Sequence, residues 1–374
     1  MELLGKSREE LRAYCQELGE PGYRGDQLYQ WLYAEREFAI ERMSNLPGTL
    51  REELQREATI TLPTVRQRYV SADGSVRYLL GLEKENTNAE AQRDAEKKRA
   101  VRPAAAVEAV FMPSEGRQTI CISTQAGCAV DCQFCLTAQL GLIRNLTAGE
   151  IVAQVLVPLK EMAAQESGVE LAARTNVVLM GQGEPLLNFE NVMVALRILL
   201  DAEGVGLSPK HVTLSTSGIV PGIERFGKEE VRSKLAISLN ASCDEQRDVL
   251  MPINKKYPLK TLMEACRNYP LRNWEHLTFE YVMLGGVNDS EEDARRVARL
   301  LARLKSVKVN LIPWNPGELP YKESTEEAIE EFRRILTDKG VPAFVRYSRG
   351  RDVMAACGQL ALKEVNESPL RVVG

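Results

Sequence analysis

Three cysteines in one short stretch carry most of the recognisable chemistry of this sequence. Between Cys121 and Cys135 the chain reads Cys-Ile-Ser-Thr-Gln-Ala-Gly-Cys-Ala-Val-Asp-Cys-Gln-Phe-Cys, which sets Cys128, Cys132 and Cys135 at C-x3-C-x2-C spacing. A loop of that spacing can wrap several thiolates around one small metallic group. A closed structural zinc site takes four ligands, and no fourth Cys or His continues the spacing, Cys121 lying on the preceding predicted strand. Three thiolates suit a 4Fe–4S cubane with one iron left open, because such clusters are held by Cys thiolates. An open iron can bind a second molecule and pass it an electron. Zinc binding and plain burial of three structural cysteines are the competing readings.

The elements that must position this loop follow from the alternation of apolar runs. From residue 118 onward, predicted strands at 118–123, 176–181, 211–216, 234–239, 277–283, 307–312 and 342–346 alternate with predicted helices. Those helices are 148–163, 189–202, 219–228, 258–268, 290–304 and 325–338. Capping boxes are predicted at Thr147-x-x-Glu150, Ser290-x-x-Asp293 and Ser324-x-x-Glu327. Strand–helix alternation implies an α/β fold with parallel strands and helices outside. About six such units predict a partial (β/α)6 barrel rather than the closed eightfold one. Ligands in such folds bind past the carboxyl ends of strands. The unusual residues fall there repeatedly: the cysteine loop, Gly181-Gln-Gly-Glu-Pro185, Ser215-Thr-Ser-Gly218, Ser238-Leu239-Asn240 and Asn315. Their coincidence on one face predicts a shared ligand site.

The predicted organisation has four parts. Residues 1–60 form a small helical accessory domain, opened by the capping box Ser7-x-x-Glu10. Residues 61–117 form a short β extension whose hairpin turns at Ser-Ala-Asp-Gly, interrupted by a charged insertion at 83–106 poor in large apolar residues. Residues 118–350 form the partial barrel, and residues 351–374 a C-terminal segment that carries Cys357.

Composition narrows the function. The 374 residues are 44% hydrophobic, with a formal net charge of −4 and only two histidines, His211 and His276. A histidine-rich metal site is thereby disfavoured. The charge gives no overall attraction to nucleic acid, although local patches decide that: Lys255-Lys256, and Arg346, Arg349 and Arg351. No run of about eighteen apolar residues suggests a membrane span, and the N-terminus lacks a signal-peptide pattern. A soluble cytoplasmic monomer is expected. The eight cysteines are not arranged as in a small secreted disulfide scaffold. Cys15, Cys243 and Cys266 read as buried fillers.

The cysteine spacing resembles the signature of radical S-adenosylmethionine (SAM) enzymes. In that family the open iron of the cluster chelates SAM and an electron splits it to a 5′-deoxyadenosyl radical. The resemblance implies roles for the strand-end residues. Gly183 allows close backbone approach and Glu184 accepts from the SAM ammonium. Ser215 and the Ser238–Leu239–Asn240 segment serve the ribose, and Asn315 the adenine.

The whole arrangement resembles the RlmN family of adenine-C2 RNA methyltransferases. The matching segments are Tyr-Arg-Gly-x-Gln-Leu-Tyr-x-Trp-Leu (23–32), Gly-x-Gly-Glu-Pro, Thr-Leu-Ser-Thr-Ser-Gly, Pro-Ile-Asn-Lys-Lys-Tyr, Glu-Tyr-Val-Met-Leu, Asn-Leu-Ile-Pro-Trp-Asn-Pro and Ala-Cys-Gly-Gln-Leu (356–360). Asn240 stands where many members carry His. The resemblance implies that Cys357 accepts a methyl group from one SAM and that a second SAM is the radical source. It also implies that Glu108 takes the C2 proton and that Cys121 releases the product by forming a disulfide with Cys357. The implied partners are 23S rRNA, tRNA and an electron donor such as flavodoxin. The alternatives are the related Cfr family, which methylates C8, a zinc-binding RNA module, and a radical enzyme for a small molecule.

Overall fold

A computed structural model of the chain describes residues 1–82, 105–163 and 171–362. Most of the charged insertion and the last twelve residues lie outside them.

Three helices open the chain: α1 (Arg8–Glu17), α2 (Tyr23–Tyr33) and α3 (Gly48–Glu57). Ser7 and Glu10 exchange the two bonds of a capping box at α1. Leu11, Leu28, Leu32, Leu50 and Leu54 are buried, so the helices close on one another and join the main core. Gly5 lies against the backbone of Gly149; a Cβ at Gly5 would meet the Gly149 nitrogen at 2.3 Å. Arg8 pairs with Asp201 at 3.6 Å and Glu203 at 2.5 Å.

Ten strands form one open sheet. Four are antiparallel in sequence order: β1 (Thr64–Val70), β2 (Val76–Gly81), β3 (Ala106–Ser114) and β4 (Arg117–Cys121). From β4 the sheet continues in parallel through β7 (Thr175–Leu179), β8 (Val212–Thr216), β9 (Lys234–Ser238), β10 (Leu277–Met283), β11 (Val307–Pro313) and β12 (Ala343–Val345). The crossover helices are α5 (Ala148–Ala163), α6 (Phe189–Leu200), α7 (Val220–Lys228), α8 (Asp244–Leu250) with α9 (Leu259–Asn268), α10 (Glu291–Leu301) and α11 (Glu326–Asp338). Six crossovers link seven parallel strands, the partial barrel expected from the sequence. The sheet does not close: β1 and β12 are its two edges.

Period-2 geometry divides each strand between two faces. Val177, Leu179, Leu235, Ile237, Phe279, Tyr281, Val309 and Leu311 pack into the helix-covered core. The alternate residues face the barrel lumen. The register places Ser238, Glu280 and Asn310 in one row across β9, β10 and β11.

Two local details differ from the sequence reading. The cap of α11 is Thr325, whose hydroxyl accepts from Ala328 N at 3.2 Å, while Ser324 is buried one residue earlier. The cysteine loop is not a simple strand-to-helix connection. It is framed by a hairpin, β5 (Gln125–Gly127) against β6 (Leu142–Asn145), with the one-turn helix α4 (Leu136–Gln139) inside it. Runs of three and four residues carry too little periodicity to be read from sequence.

Candidate active site

One cavity lies at the carboxyl ends of the parallel strands. Cys128, Cys132, Cys135, Gly183, Glu184, Ser215, Ser238, Asn240, Asn315 and Cys357 all line it. Ten of the thirteen site residues expected from the sequence are therefore brought together. Leu239, Cys121 and Glu108 are not on that wall.

The cysteine loop is held from several sides. Cys128 N donates to Gly141 O at 3.1 Å, and Gln133 N donates to Leu250 O at 3.0 Å. Burial pushes the Cys128 thiol up to about 12 and drives Cys132 well above its ordinary value, the neighbouring cysteines adding to both. Such thiols become ligands only when a metal replaces their protons. Among the described residues no three His, Cys, Asp or Glu side chains converge tightly enough to grip a single metal ion. The three thiols stand around one cavity, and a set of three thiolate donors fits a 4Fe–4S cluster with one iron left open.

The glycine-rich turn after β7 wraps the next wall. Gly183 has φ +99°, and a Cβ there would meet Gln125 Cβ at 2.6 Å and Gln125 N at 2.7 Å, so no other residue fits. Glu184 follows, with its carboxylate accepting from Leu186 N at 3.0 Å and Ser217 N at 2.7 Å. Burial nevertheless raises its pKa.

Asn240 lines the cavity and is tied through its amide. It occupies the left-handed region at φ +55°, where Asn is tolerated. Its Oδ1 accepts from Val282 N at 2.8 Å and its Nδ2 reaches Met251 Sδ at 3.3 Å. Both polar atoms thus tie the residue after β9 to neighbouring backbone and side chain, and Asn240 keeps its position on the cavity wall with one N–H still to offer. Leu239, between Ser238 and Asn240, is wholly buried, and its carbonyl accepts from Arg247 Nε at 3.1 Å.

The C-terminal segment crosses the open side of the barrel as a strap. Asp73, in the β1–β2 turn, accepts from Gly350 N at 3.0 Å and pairs with Arg349 at 3.4 Å. Asp352 accepts from Ser71 Oγ at 2.6 Å and Ala72 N at 3.0 Å. Further on, Leu136 N donates to Gly358 O at 2.8 Å, Thr137 Oγ1 to Leu360 O at 2.5 Å, and Asn315 Nδ2 to Cys357 O at 3.3 Å. Gly358, at φ +80°, lies against Phe134 O and Cys135. These bonds hold Cys357 at the cavity beside the thiol loop. Cys357 is exposed on that side. The surrounding protein, with Glu280 and Cys135 adding negative charge, still pushes its thiol up to about 11.

Cys121 and Glu108 lie under the strap. Cys121 packs with Val110, Ala355 and Leu360. Burial raises its pKa, and Cys357 is the nearest charge that adds to the effect. All eight cysteines are free thiols. Glu108 is fully buried and ion-paired with the equally buried Arg77, while its Oε2 accepts from Leu362 N at 3.0 Å. Burial raises its pKa against the opposing pull of Arg77.

The arginine patch expected near Cys357 is mostly engaged within the protein. Arg349 bonds Asp73 and Pro113 O, and Arg351 pairs with Glu323. Lys255 and Lys256 remain exposed beside Met251, a cavity residue. Two site residues escaped sequence reasoning. Glu280 lines the cavity with its carboxyl held by Asn310 Nδ2 at 2.9 Å, and burial lifts its pKa to about 7. It lies inside the Glu-Tyr-Val-Met-Leu segment, and its inward register was the available signal. Arg247, behind the wall, gave none.

An open parallel barrel whose strand ends gather three thiols and a glycine-turn carboxylate defines a radical SAM enzyme. Residues 122–298 match the Radical SAM superfamily, and residues 1–60 match the ribosomal RNA large subunit methyltransferase N-terminal domain. A probable dual-specificity RNA methyltransferase RlmN of Koribacter versatilis is 50% identical over 93% of this chain and 98% of its own length. Dual-specificity RNA methyltransferase RlmN 2 of Myxococcus xanthus is 46% identical over 94% and 87%. A crystal structure of a radical SAM methyltransferase from Sphaerobacter thermophilus superposes with TM-score 0.84 at 40% identity, over 96% of this chain and 99% of that one. The chain belongs to the RlmN family of radical SAM RNA methyltransferases, and with it come a 4Fe–4S cluster and SAM. The Cfr alternative is not favoured. No helix among the described residues is long and apolar enough to cross a membrane.

Proposed function

We propose that the protein methylates C2 of an adenine in the peptidyl-transferase centre of 23S rRNA and C2 of the adenine 3′ of the tRNA anticodon. The observation that carries the reading is the presence of Cys357 on the same wall as Cys128, Cys132 and Cys135. When bound, the cluster supplies one electron, while one SAM supplies a methyl group and a second a 5′-deoxyadenosyl radical.

The chain's residues then divide the work. Cys128, Cys132 and Cys135 hold the cluster, with Phe134 between them as part of its apolar cover. Gly183 and Glu184 receive the methionine end of SAM, Ser215 and Ser238 its ribose, and Asn315 its adenine. Adenine C2 is electron-poor, so a carbon carried on Cys357 must reach it by radical addition rather than polar transfer. Cys357 loses its proton and takes the methyl. After a hydrogen atom is removed from that methyl, its carbon bonds to C2, and the adduct would return its one unpaired electron to the oxidised cluster. Glu108 accepts the C2 proton, a role suited to a carboxylate whose pKa burial has raised. Cys121, as thiolate, attacks the Cys357 sulfur, so that an S–S bond forms as the S–C bond to the product breaks, and the released carbon takes that electron pair and a proton to become the methyl group. An external donor, flavodoxin being the expected class, supplies the electrons, and the disulfide is reduced before the next cycle.

Cys121 and Glu108 lie beneath residues 355–362, so the strap must shift between the methyl-loading and RNA-reacting stages. The protein acts as a cytoplasmic monomer in this reading. Mass spectrometry of product RNA against 2-methyladenosine and 8-methyladenosine standards tests it. The 2-methyl isomer is expected, and the 8-methyl isomer would establish the Cfr-type reaction instead.

A further inference from the structure

Helix α8 places behind the cavity wall a guanidinium that has no carboxylate in contact among the described residues. Arg247 is fully buried. Its Nε donates to Leu239 O at 3.1 Å and its Nη1 to Asn254 Oδ1 at 3.1 Å. Its Nη2 donates to Ser217 O at 2.7 Å and Ser238 O at 3.0 Å. All four acceptors are neutral. The nearest acids on its own helix, Asp244 and Asp248, are bound at 2.8 Å and 2.7 Å by the Nδ2 of that same Asn254, so a neutral amide stands between them and Arg247.

A buried cation without a counter-ion is costly, because desolvation is not offset by attraction. Arg cannot escape by deprotonation at ordinary pH. The groups packed against α8 show where an anion would sit. Leu250 O accepts from Gln133 N, the residue between two of the cluster cysteines. Leu250 and Met251 share an apolar cluster with Phe134, against which Cys132 and Cys135 pack. Ser217 and Ser238, whose carbonyls Arg247 holds, line the same cavity as Cys128, Cys132 and Cys135.

We propose that Arg247 is the counter-ion of the iron–sulfur cluster and holds its reduction potential up. The thiolate-ligated cluster is anionic and gains negative charge on reduction. A fixed positive charge behind the cavity wall therefore favours the reduced form, and net charge and surrounding bonds are what tune such potentials. The same side chain fixes the Ser217 and Ser238 carbonyls, so one residue shapes the wall and sets the charge behind it. The inference rests on the cluster assignment made above.

The test is an EPR-monitored redox titration of anaerobically reconstituted full-length protein, with iron and sulfide measured on each sample. Arg247→Gln removes the charge and keeps part of the bonding; Arg247→Lys keeps the charge and loses most of the fork. The expected result is a lower midpoint potential in R247Q and a near-wild-type one in R247K. An unchanged potential in fully loaded R247Q, or an equal drop in R247K, would overturn the proposal and leave Arg247 a structural tie. If R247Q fails to load iron, R247K decides. Loading with a near-wild-type potential supports the counter-ion role, and lost loading or a displaced potential refutes it. Wild-type protein that binds no iron strikes the cluster assignment itself, a separate outcome.

Discussion

Replacing Glu108 by Gln tests whether this residue is chemistry or scaffold, because the structure gives it both duties. Its carboxylate is fully buried and paired with Arg77, which is itself 1% exposed and lies over the Tyr69 ring. The substitution conserves shape, and an amide oxygen can still accept from Leu362 N. What it removes is the charge facing Arg77. Breaking one side of a buried pair costs about 3–5 kcal/mol, most of it the penalty of the charge left behind. Converting Arg77 to Met as well removes that charge, and replacing a whole buried pair by apolar groups is often close to neutral. The cycle of E108Q, R77M and R77M/E108Q, followed by denaturant unfolding and by RNA methylation, separates the duties. E108Q should be less stable by about 3–5 kcal/mol, and the double variant should regain most of that loss. If Glu108 accepts the C2 proton, methylation should stay low in the double variant despite its recovered stability. Recovery of both would refute the catalytic assignment and leave Glu108 as the anchor of the strap.

Other substitutions probe the remaining walls. Cys128→Ala, Cys132→Ala or Cys135→Ala should each abolish the brown colour and iron content after anaerobic reconstitution, whereas Cys266→Ala, in the hydrophobic core, should keep both. Gly183→Ala should lose SAM binding in equilibrium dialysis, because its φ is +99° and its Cβ would sit 2.6 Å from Gln125 Cβ; near-normal binding would mean that the turn can yield. Asp73→Ala removes the anchor of Arg349 and Gly350 and should expose the strap to limited proteolysis after Arg346 without displacing the core. Glu280 has a folded-state pKa of about 7, raised by burial above the ordinary 4.5. An acid so raised contributes stability that is full below about pH 4.5 and lost as pH climbs through 7. Glu280→Gln should therefore be more stable than the wild type at pH 8, with the gap closing toward pH 4.5, as read by denaturant midpoints.

Much of this was legible in the sequence, for reasons that can be named. The parallel strands and all the crossover helices but the short α8 declared themselves because each exceeds one period of its pattern and several begin at readable caps, Thr147–Glu150 and Ser290–Asp293 among them. The site residues were legible because strand ends in such folds face one way, so Gly183, Ser215, Ser238 and Asn315 meet at one cavity. What stayed hidden depends on contacts distant in sequence. That Glu108 pairs with Arg77 needs the β2–β3 pairing to bring the strands together. That Arg349 serves Asp73 instead of solvent needs the strap to cross the barrel opening. Arg247 gave no signal, because nothing local announces that its four acceptors come from three different segments.

The account stands or falls on Cys357 as the carrier of the transferred carbon. Anaerobic turnover with SAM labelled in its methyl group, quenched over time and split into protein and RNA fractions, measures this directly. Label should appear as S-methyl on the peptide containing Cys357 before any reaches RNA, and Cys357→Ala should eliminate both signals. Methylated RNA formed by the C357A enzyme, or label reaching RNA with none ever on the protein, would contradict the account.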